Sequence, residues 1–438
     1  MEAVGFLNIR QKMISIILAA LIAFSTSVYA LAAEPGFGNF AYSANYSDGQ
    51  FRDVRGTDWF GRYVGDAYDL GFLKGKSENI FDPGGLLTLG EAVVLASRLR
   101  SIYHTGKADF AESSPFYMSY VEYALSHGIL SSHGNYDAPV TRARFAGLVY
   151  SALPPSAFPV INNIPDYGIC DVGSDSSFSA AIYALYRAGV LTGSDRFGAF
   201  IAASGLTRAE ASAVMVRAAD PSSRVRALPP RHIPVEAIFT RSADAVFMLE
   251  TFDERGRSIR TGSGFFISDT GIAVTLLHVL EDAASATVTL HNGDKYPLLG
   301  VFAASNELNL ALLSVDIGAG GSKYLTLANS SLIEVGNTVY ALGSPRGLIN
   351  SISEGMIAFS NRELDGSDFI QFTAPISFGS GGSPVLNTLG QVVGIASSSF
   401  SYGQHLNLAV PINHVKELET GRLISLVELL DMQIAIAN

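Results

Sequence analysis

The apolar residues of this chain change period once, across residues 219–234. Before that stretch they recur in runs such as YVGDAYDLGFLKG and GEAVVLASRL, at the three-to-four spacing that lines one face of an α-helix. After it they alternate or cluster in short runs, as in AVFMLETF, GSGFFIS, GIAVTLLHV, NTVYALGS and GQVVGIASSS, bounded by Gly, Asn, Asp or Ser. Many short strands at that spacing make a sandwich or barrel. Between the two textures, ADPSSRVRALPPRHIP carries Pro, Ser and charge but no apolar period, which marks a linker. A multidomain chain is expected, all-α first and all-β second. Its 438 residues exceed what one ordinary core holds.

The N-terminus carries an export address. Arg10 and Lys12 precede MISIILAALIAF, and small residues follow in STSVYALAAEPG. A charged start, a short apolar run and an A-x-A-like site at Ala30-Leu31-Ala32 predict a signal peptide over residues 1–33. As an uncleaved anchor the run would be short for a membrane span. No later segment is long and apolar enough to cross a bilayer, so no membrane contact is expected after cleavage. The lone Cys170 leaves an exported chain without an internal disulfide and reads as a buried structural thiol. A formal net charge of −11 argues against nucleic acid as a partner. The histidines are scattered, with no H-E-x-x-H and no Cys pair, so neither metal nor cofactor is expected. His405 and His414 read as an ordinary strand-end and helix-start residue.

The helical part repeats itself three times. YVGDAYDLGFLKG with FDPGGLLTLGEAVVLASRL, YVEYALSHGILSS with YDAPVTRARFAGLVYSAL, and AIYALYRAGVLTG with IAASGLTRAEASAVMVRAA align by eye. In each, a helical run ends at a glycine (Gly71, Gly128, Gly189) suited to a left-handed C-cap. A threonine (Thr88, Thr141, Thr207) then opens a second amphipathic helix. Glu91 and Glu210 complete capping boxes with the first and last threonine, while Arg144 stands at that place in the middle copy. Each copy is helix, loop, helix, and stacking would bury a shared core.

The opening Phe51, Asp53, Val54, Trp59 and Phe60, with the TRAE start at Thr207 to Glu210, resembles the S-layer homology (SLH) domain, here in three copies over 50–107, 108–158 and 159–220. The resemblance implies non-covalent attachment to secondary cell-wall polysaccharide at a bacterial surface. Arg142 and Arg208, on the TRAE arginine, and the aromatic Trp59 would belong to the polymer-binding grooves. A guanidinium suits an anionic sugar substituent because it offers a planar fork of donors. The same arginines could instead pair with helix surfaces. The first copy has Leu89 where the others have arginine.

After a linker at 221–233, the landmarks of a second family follow in order over residues 234–420. TGSGFFISDTGIAVTLLHVL resembles the G-S-G-F strand and T-x-x-H-V turn of HtrA/Deg-type, trypsin-like serine proteases. NELNLALLSV resembles their D-L-A-L-L strand, VGNTVYALGSPRGLINSISEGMIAF their paired V-G-x-x-V and G-I-V strands, APISFGSGGSPVLN their nucleophile loop, and LNLAVPINHVKEL their closing strand. The resemblance implies two six-stranded β-barrels in the chymotrypsin manner, with a helix at 421–438 after them. It puts His278 on the catalytic histidine and Asn309 on the aspartate.

Acyl transfer needs a hydroxyl nucleophile, a base, an orienter for the base and an oxyanion hole. His278 supplies the base. Asn309 can hold an imidazole but brings no negative charge and can impose the wrong tautomer. Glu307, two residues back, would have to move to replace it. The nucleophile loop has two registers. Without a gap, Gly379 meets the family glycine, Gly381 stands where the serine belongs, and Ser383 is a common variant; the nucleophile is then lost. Slid by one, Ser380 becomes the nucleophile, and the surrounding glycines permit the rebuilt turn. In the ungapped register the N–H groups of Gly379 and Gly381 still form an oxyanion hole, whereas the slid one puts Phe378 where the oxyanion loop wants a small residue. The expected chain is an exported, wall-anchored protein with a catalytically impaired, peptide- or partner-binding protease fold. The alternatives are a surface serine endopeptidase using Ser380 and His278, and a spacer for wall anchoring. Whether it is an enzyme stays open at this level.

Overall fold

The computed structural model describes residues 34–42, 46–173, 177–195, 197–226, 232–344, 347–348, 350–364, 366–397, 407–418 and 420–437. The expected signal peptide, part of the linker and His405 lie outside them. The chain forms two compact units, one of residues up to 159 with 205–225, the other of 160–204 with 226–438.

The helices before the linker are α1 (Gly61–Asp69), α2 (Leu89–Thr105), α3 (Met118–Ser126), α4 (Arg142–Ala152), α5 (Ser179–Arg187) and α6 (Arg208–Ala219). Their ends follow the predicted chemistry. Thr88 and Thr207 accept from the N–H of Glu91 and Glu210, whose carboxylates accept the threonine N–H in return. Thr141 makes only the first of these bonds, to Arg144 N–H, because position 144 lacks a carboxylate. Gly71, Gly128 and Gly189 hold φ of 74°, 70° and 73° after α1, α3 and α5. The next N–H in each reaches back to Ala67, Ala124 or Leu185, closing a Schellman turn.

A ring of main-chain bonds joins the three threonine turns. Leu87 N–H donates to Leu206 O, Leu206 N–H to Val140 O, and Val140 N–H to Leu87 O, at 2.9, 3.2 and 2.9 Å. All three residues are buried. A buried N–H needs a partner, and here each turn finds its partner in another, so no copy is self-sufficient.

In the second unit α7 (Val235–Ser242) leads into twelve strands. β1 (Val246–Phe252), β2 (Ser258–Phe266), β3 (Ile272–Leu276), β4 (Ser285–Thr289), β5 (Lys295–Ser305) and β6 (Leu310–Val315) close one barrel in the order β1-β2-β3-β6-β5-β4. β7 (Thr338–Gly343), β8 (Ser351–Leu364), β9 (Ser367–Phe372), β10 (Pro384–Leu386), β11 (Val392–Ser397) and β12 (Asn407–Pro411) close the other, as β10-β11-β12-β9-β8-β7. Closure leaves no open sheet edge. Phe247, Phe265 and Phe266 fill the first barrel, and Ile357, Ile370 and Phe372 the second. Asn292-Gly293 forms the tight turn between β4 and β5 that its sequence predicts, with Gly293 at φ 89°.

Two details depart from the expected boundaries. α8 (Asn413–Glu417) is followed by an extended stretch, and the helix expected over 421–438 begins later, as α9 (Leu426–Ala437). Ile424 instead exchanges both main-chain hydrogen bonds with Val301 of β5, and Ser425 with Glu428 forms a capping box that opens α9. The first half of the expected third repeat, residues 160–204, belongs to the β-rich unit. There the buried Gln391 donates its amide to Ile169 O at 3.0 Å, and Arg241 of α7 pairs with Asp195.

Candidate functional site

β3 runs into a short 3-10 turn, Leu277–Leu280, in which every residue but His278 is buried. Asn309 immediately precedes β6, the neighbour of β3, and holds a left-handed φ of 50°. Asparagine tolerates that region better than most residues. Its main chain accepts Leu277 N–H at 3.0 Å, which sets its side chain beside His278.

The amide of Asn309 makes three contacts with His278, the longest from Oδ1 to Nδ1 at 3.3 Å. Its Oδ1 accepts the main-chain N–H of His278 at 2.9 Å, and its Nδ2 lies 2.9 Å from His278 Nδ1. A main-chain N–H can only donate, so it fixes which end of the amide is oxygen. With the amide so oriented Nδ2 is the nearer atom to Nδ1, an arrangement in which it donates to Nδ1 and the ring proton sits on Nε2. An aspartate would do the reverse, accepting from Nδ1–H and freeing Nε2 as a base. Burial holds the His278 pKa below its usual value, with the Asn309 hydrogen bond and then Glu281 opposing, so the ring is neutral at pH 7.

The nucleophile loop turns through Gly379 and Gly382, at φ of 91° and 90°, while Gly381 between them stays outside the left-handed region. A Cβ on Gly382 would lie 2.1 Å from Ser263 O. Ser263 holds the loop twice: its N–H donates to Gly381 O at 2.8 Å and its Oγ to Gly379 O at 2.7 Å. Gly381 O and Val279, the residue after His278, meet at Gly262, where a side chain would collide with Val279.

Ser380 is buried, and its Oγ accepts Ser377 N–H at 3.3 Å. Ser383 Oγ donates to Ser380 O at 2.7 Å. Among the described residues neither hydroxyl is hydrogen-bonded to His278. Glu307 is exposed and makes no hydrogen bond to the ring either. The N–H groups of Gly379 and Gly381 have no acceptor among the described residues, although Gly381 is buried.

In the helical unit, Phe72, Lys74, Arg98, Phe110, Tyr120 and Arg208 line a groove of about 530 Å³. Arg208, 4% exposed, donates to Phe81 O and Lys74 O at 2.9 and 2.6 Å, stacks on Phe81 and approaches Glu91 at 3.7 Å. Arg142 pairs with Glu210 at 2.5 Å. Each arginine at the start of one helix thus meets the capping glutamate of another, Arg142 of α4 with α6 and Arg208 of α6 with α2. The remaining pair in that cycle is Leu89 of α2 with Arg144 of α4, and both lie against Gly134. The two departures from TRAE thus flank the same glycine. Trp59 is 61% exposed and edge-on to Phe60. Asp53 accepts Phe81 N–H and Asp82 N–H. In the other unit Asp171 does the same for Phe200 and Ile201. The sequence reading passed over Asp171, although the Asp-Val of 171–172 repeats that of 53–54.

Residues 262–395 match the family model described as trypsin-like peptidase domain, and residues 50–93 match the S-layer homology domain. The peptidase match includes His278, Asn309 and the loop from 379 to 383. A "Probable periplasmic serine endoprotease DegP-like" of Chlamydia trachomatis serovar D is 36% identical over 144 residues, 32% of this chain and 28% of that protein. One of the same description from Halomonas elongata is 38% identical over 168 residues, 36% of this chain and 34% of that one. The chain therefore spans about a third of the length of these relatives. A solved HtrA-type protease, AlgW, with a tripeptide is 28% identical over 42% of this chain and 62% of that one, at a TM-score of 0.39.

Proposed function

We propose that this is an exported bacterial surface protein, held to the wall by three SLH repeats, whose trypsin-like domain receives peptide without cleaving it. The observation that carries the reading is the Asn309 amide, locked by His278 N–H so that the imidazole proton lies on Nε2. A ring in that state donates where a protease base must accept. Gly381 in the serine's register removes the nucleophile as well, while the free N–H groups of Gly379 and Gly381 keep the oxyanion hole. For the anchor, support comes from the SLH match and the threefold ring through Leu87, Val140 and Leu206. Lys74, Arg98 and Arg208 give the groove three cations against the two carboxylates of Glu91 and Glu112, for an anionic wall polysaccharide; Arg142 pairs with Glu210, and Trp59 offers an exposed ring for sugar stacking. Residues 1–33 are the proposed signal for export.

The descriptions of the relatives favour a competing reading, a serine endopeptidase using Ser380 and His278. It requires Ser380 Oγ to leave Ser377 N–H and the Asn309 amide to turn against His278 N–H. A fluorophosphonate probe on the full chain decides between them. No labelling is expected, and Asn309→Asp with Gly381→Ser should bring labelling in. Labelling of the native chain that Ser380→Ala abolishes would establish the endopeptidase instead. For the anchor, Lys74→Glu, at an exposed position, should weaken sedimentation with purified wall polysaccharide.

A further inference from the structure

The same cleft carries an inference about which peptides it takes, one that rests on the non-cleaving reading. We infer that the cleft is a receptor for the free α-carboxylate at the C-terminus of a peptide. In a working protease two groups oppose a carboxylate at this place. One is the lone pair of the unprotonated Nε2, and the other is the serine hydroxyl filling the space beside the oxyanion hole. Here both are gone. Asn309 puts a proton on Nε2, and residue 381, a glycine, brings no hydroxyl.

What remains is a set of donors without acceptors. Gly379 N–H and Gly381 N–H are unpaired among the described residues, and the second is buried, a state that asks for a ligand acceptor. Val279, next to His278 in the chain, and Gly381 O both lie against Gly262, which brings the histidine turn and the nucleophile loop to one glycine. An internal peptide carbonyl brings one neutral oxygen to these donors. A terminal carboxylate brings two oxygens and a charge, and charge-assisted hydrogen bonds are about twice as strong as neutral ones. Phe378, 82% exposed in the same loop, offers an apolar surface to the residues preceding the terminus. The charged groups acting on the ring are Glu281, after its own turn, and Arg260 of β2. They act with opposite sign.

The test uses the full chain against decapeptides immobilised through their N-termini, each as free acid and as carboxamide, at pH 7.5. The free acids should bind at least about 10-fold tighter, roughly 1.4 kcal/mol. Asn309→Asp should abolish that preference by moving the proton to Nδ1, and lowering the pH until the ring is doubly protonated should restore it. Nitrogen-15 NMR of the native chain should find His278 protonated at Nε2 alone, a readout that needs no variant. Equal binding of acids and amides, or a proton on Nδ1, overturns the carboxylate assignment and leaves peptide binding standing. Binding of neither form overturns peptide binding, and this inference with it.

Discussion

Asn309 differs from an aspartate by one amide group, yet that group decides which side of the neighbouring imidazole carries the proton. The ring also titrates with a depressed pKa because it is buried. A histidine whose folded value lies below the unfolded 6.5 stabilises the fold in full above pH 6.5. That contribution is lost as the pH falls toward the lowered folded value, because the unfolded chain takes the proton first. His278→Gln should therefore flatten the drop in melting temperature of the β-rich unit below pH 6.5. Thermal melts of both chains from pH 7.5 to 5 measure this, and parallel curves would refute it. Gly382→Ala tests the loop. A left-handed φ and a Cβ 2.1 Å from Ser263 O should lower stability by about 1–3 kcal/mol, read by urea unfolding. The sequence singled out His278, Asn309 and the loop glycines as one set. It left the tautomer open, because the deciding partner is a main-chain N–H that only the meeting of β3 and β6 brings to the amide.

Among the elements, the helix starts of the SLH part form a cycle of arginine and glutamate with one member altered on both sides. Leu89 and Arg144 look like two separate losses along the chain, yet both lie against Gly134. Leu89→Arg alone should set two guanidinium groups together and destabilise the helical unit. Adding Arg144→Glu should recover the loss and rebuild the pair seen between Arg142 and Glu210. A double-mutant cycle by urea unfolding should give a coupling of about 1–3 kcal/mol; a coupling near zero would mean the side chains do not meet. Helix ends were legible in detail, since Thr-x-x-Glu and C-cap glycine act within a few residues of themselves. The start of α9 was not. Its Ser425–Glu428 box is equally local, but Ile424 is held out of the helix by β5, and only the barrel supplies that partner.

For the whole molecule, the boundary in the chain and the boundary in space differ. Pro, Ser and charge at 219–234 mark a change of texture, but residues 160–204 fold with the β-rich unit through Gln391, Arg241 and the buried Cys170. A fragment beginning at residue 160 should melt higher than one beginning at 233, which would expose the surface around Gln391. Cys170 reports on this contact directly. Burial pushes its thiol up to about 11, so roughly one in a thousand is thiolate at pH 8. Native Cys170 should resist alkylation and react once this segment unfolds; rapid labelling of the native chain would refute the packing.

Period, caps and turn residues by themselves determined that helices precede barrels and how the Thr-capped helices of the first part begin. Those properties rest on groups a few bonds apart. Only the tertiary structure decided that Arg142 and Arg208 pair with glutamates of other helices, that residues 160–204 join the β-rich unit, and that the Asn309 amide meets both His278 N–H and the ring. Each of these depends on a donor meeting an acceptor far away in the chain, and no spacing along a sequence encodes that encounter.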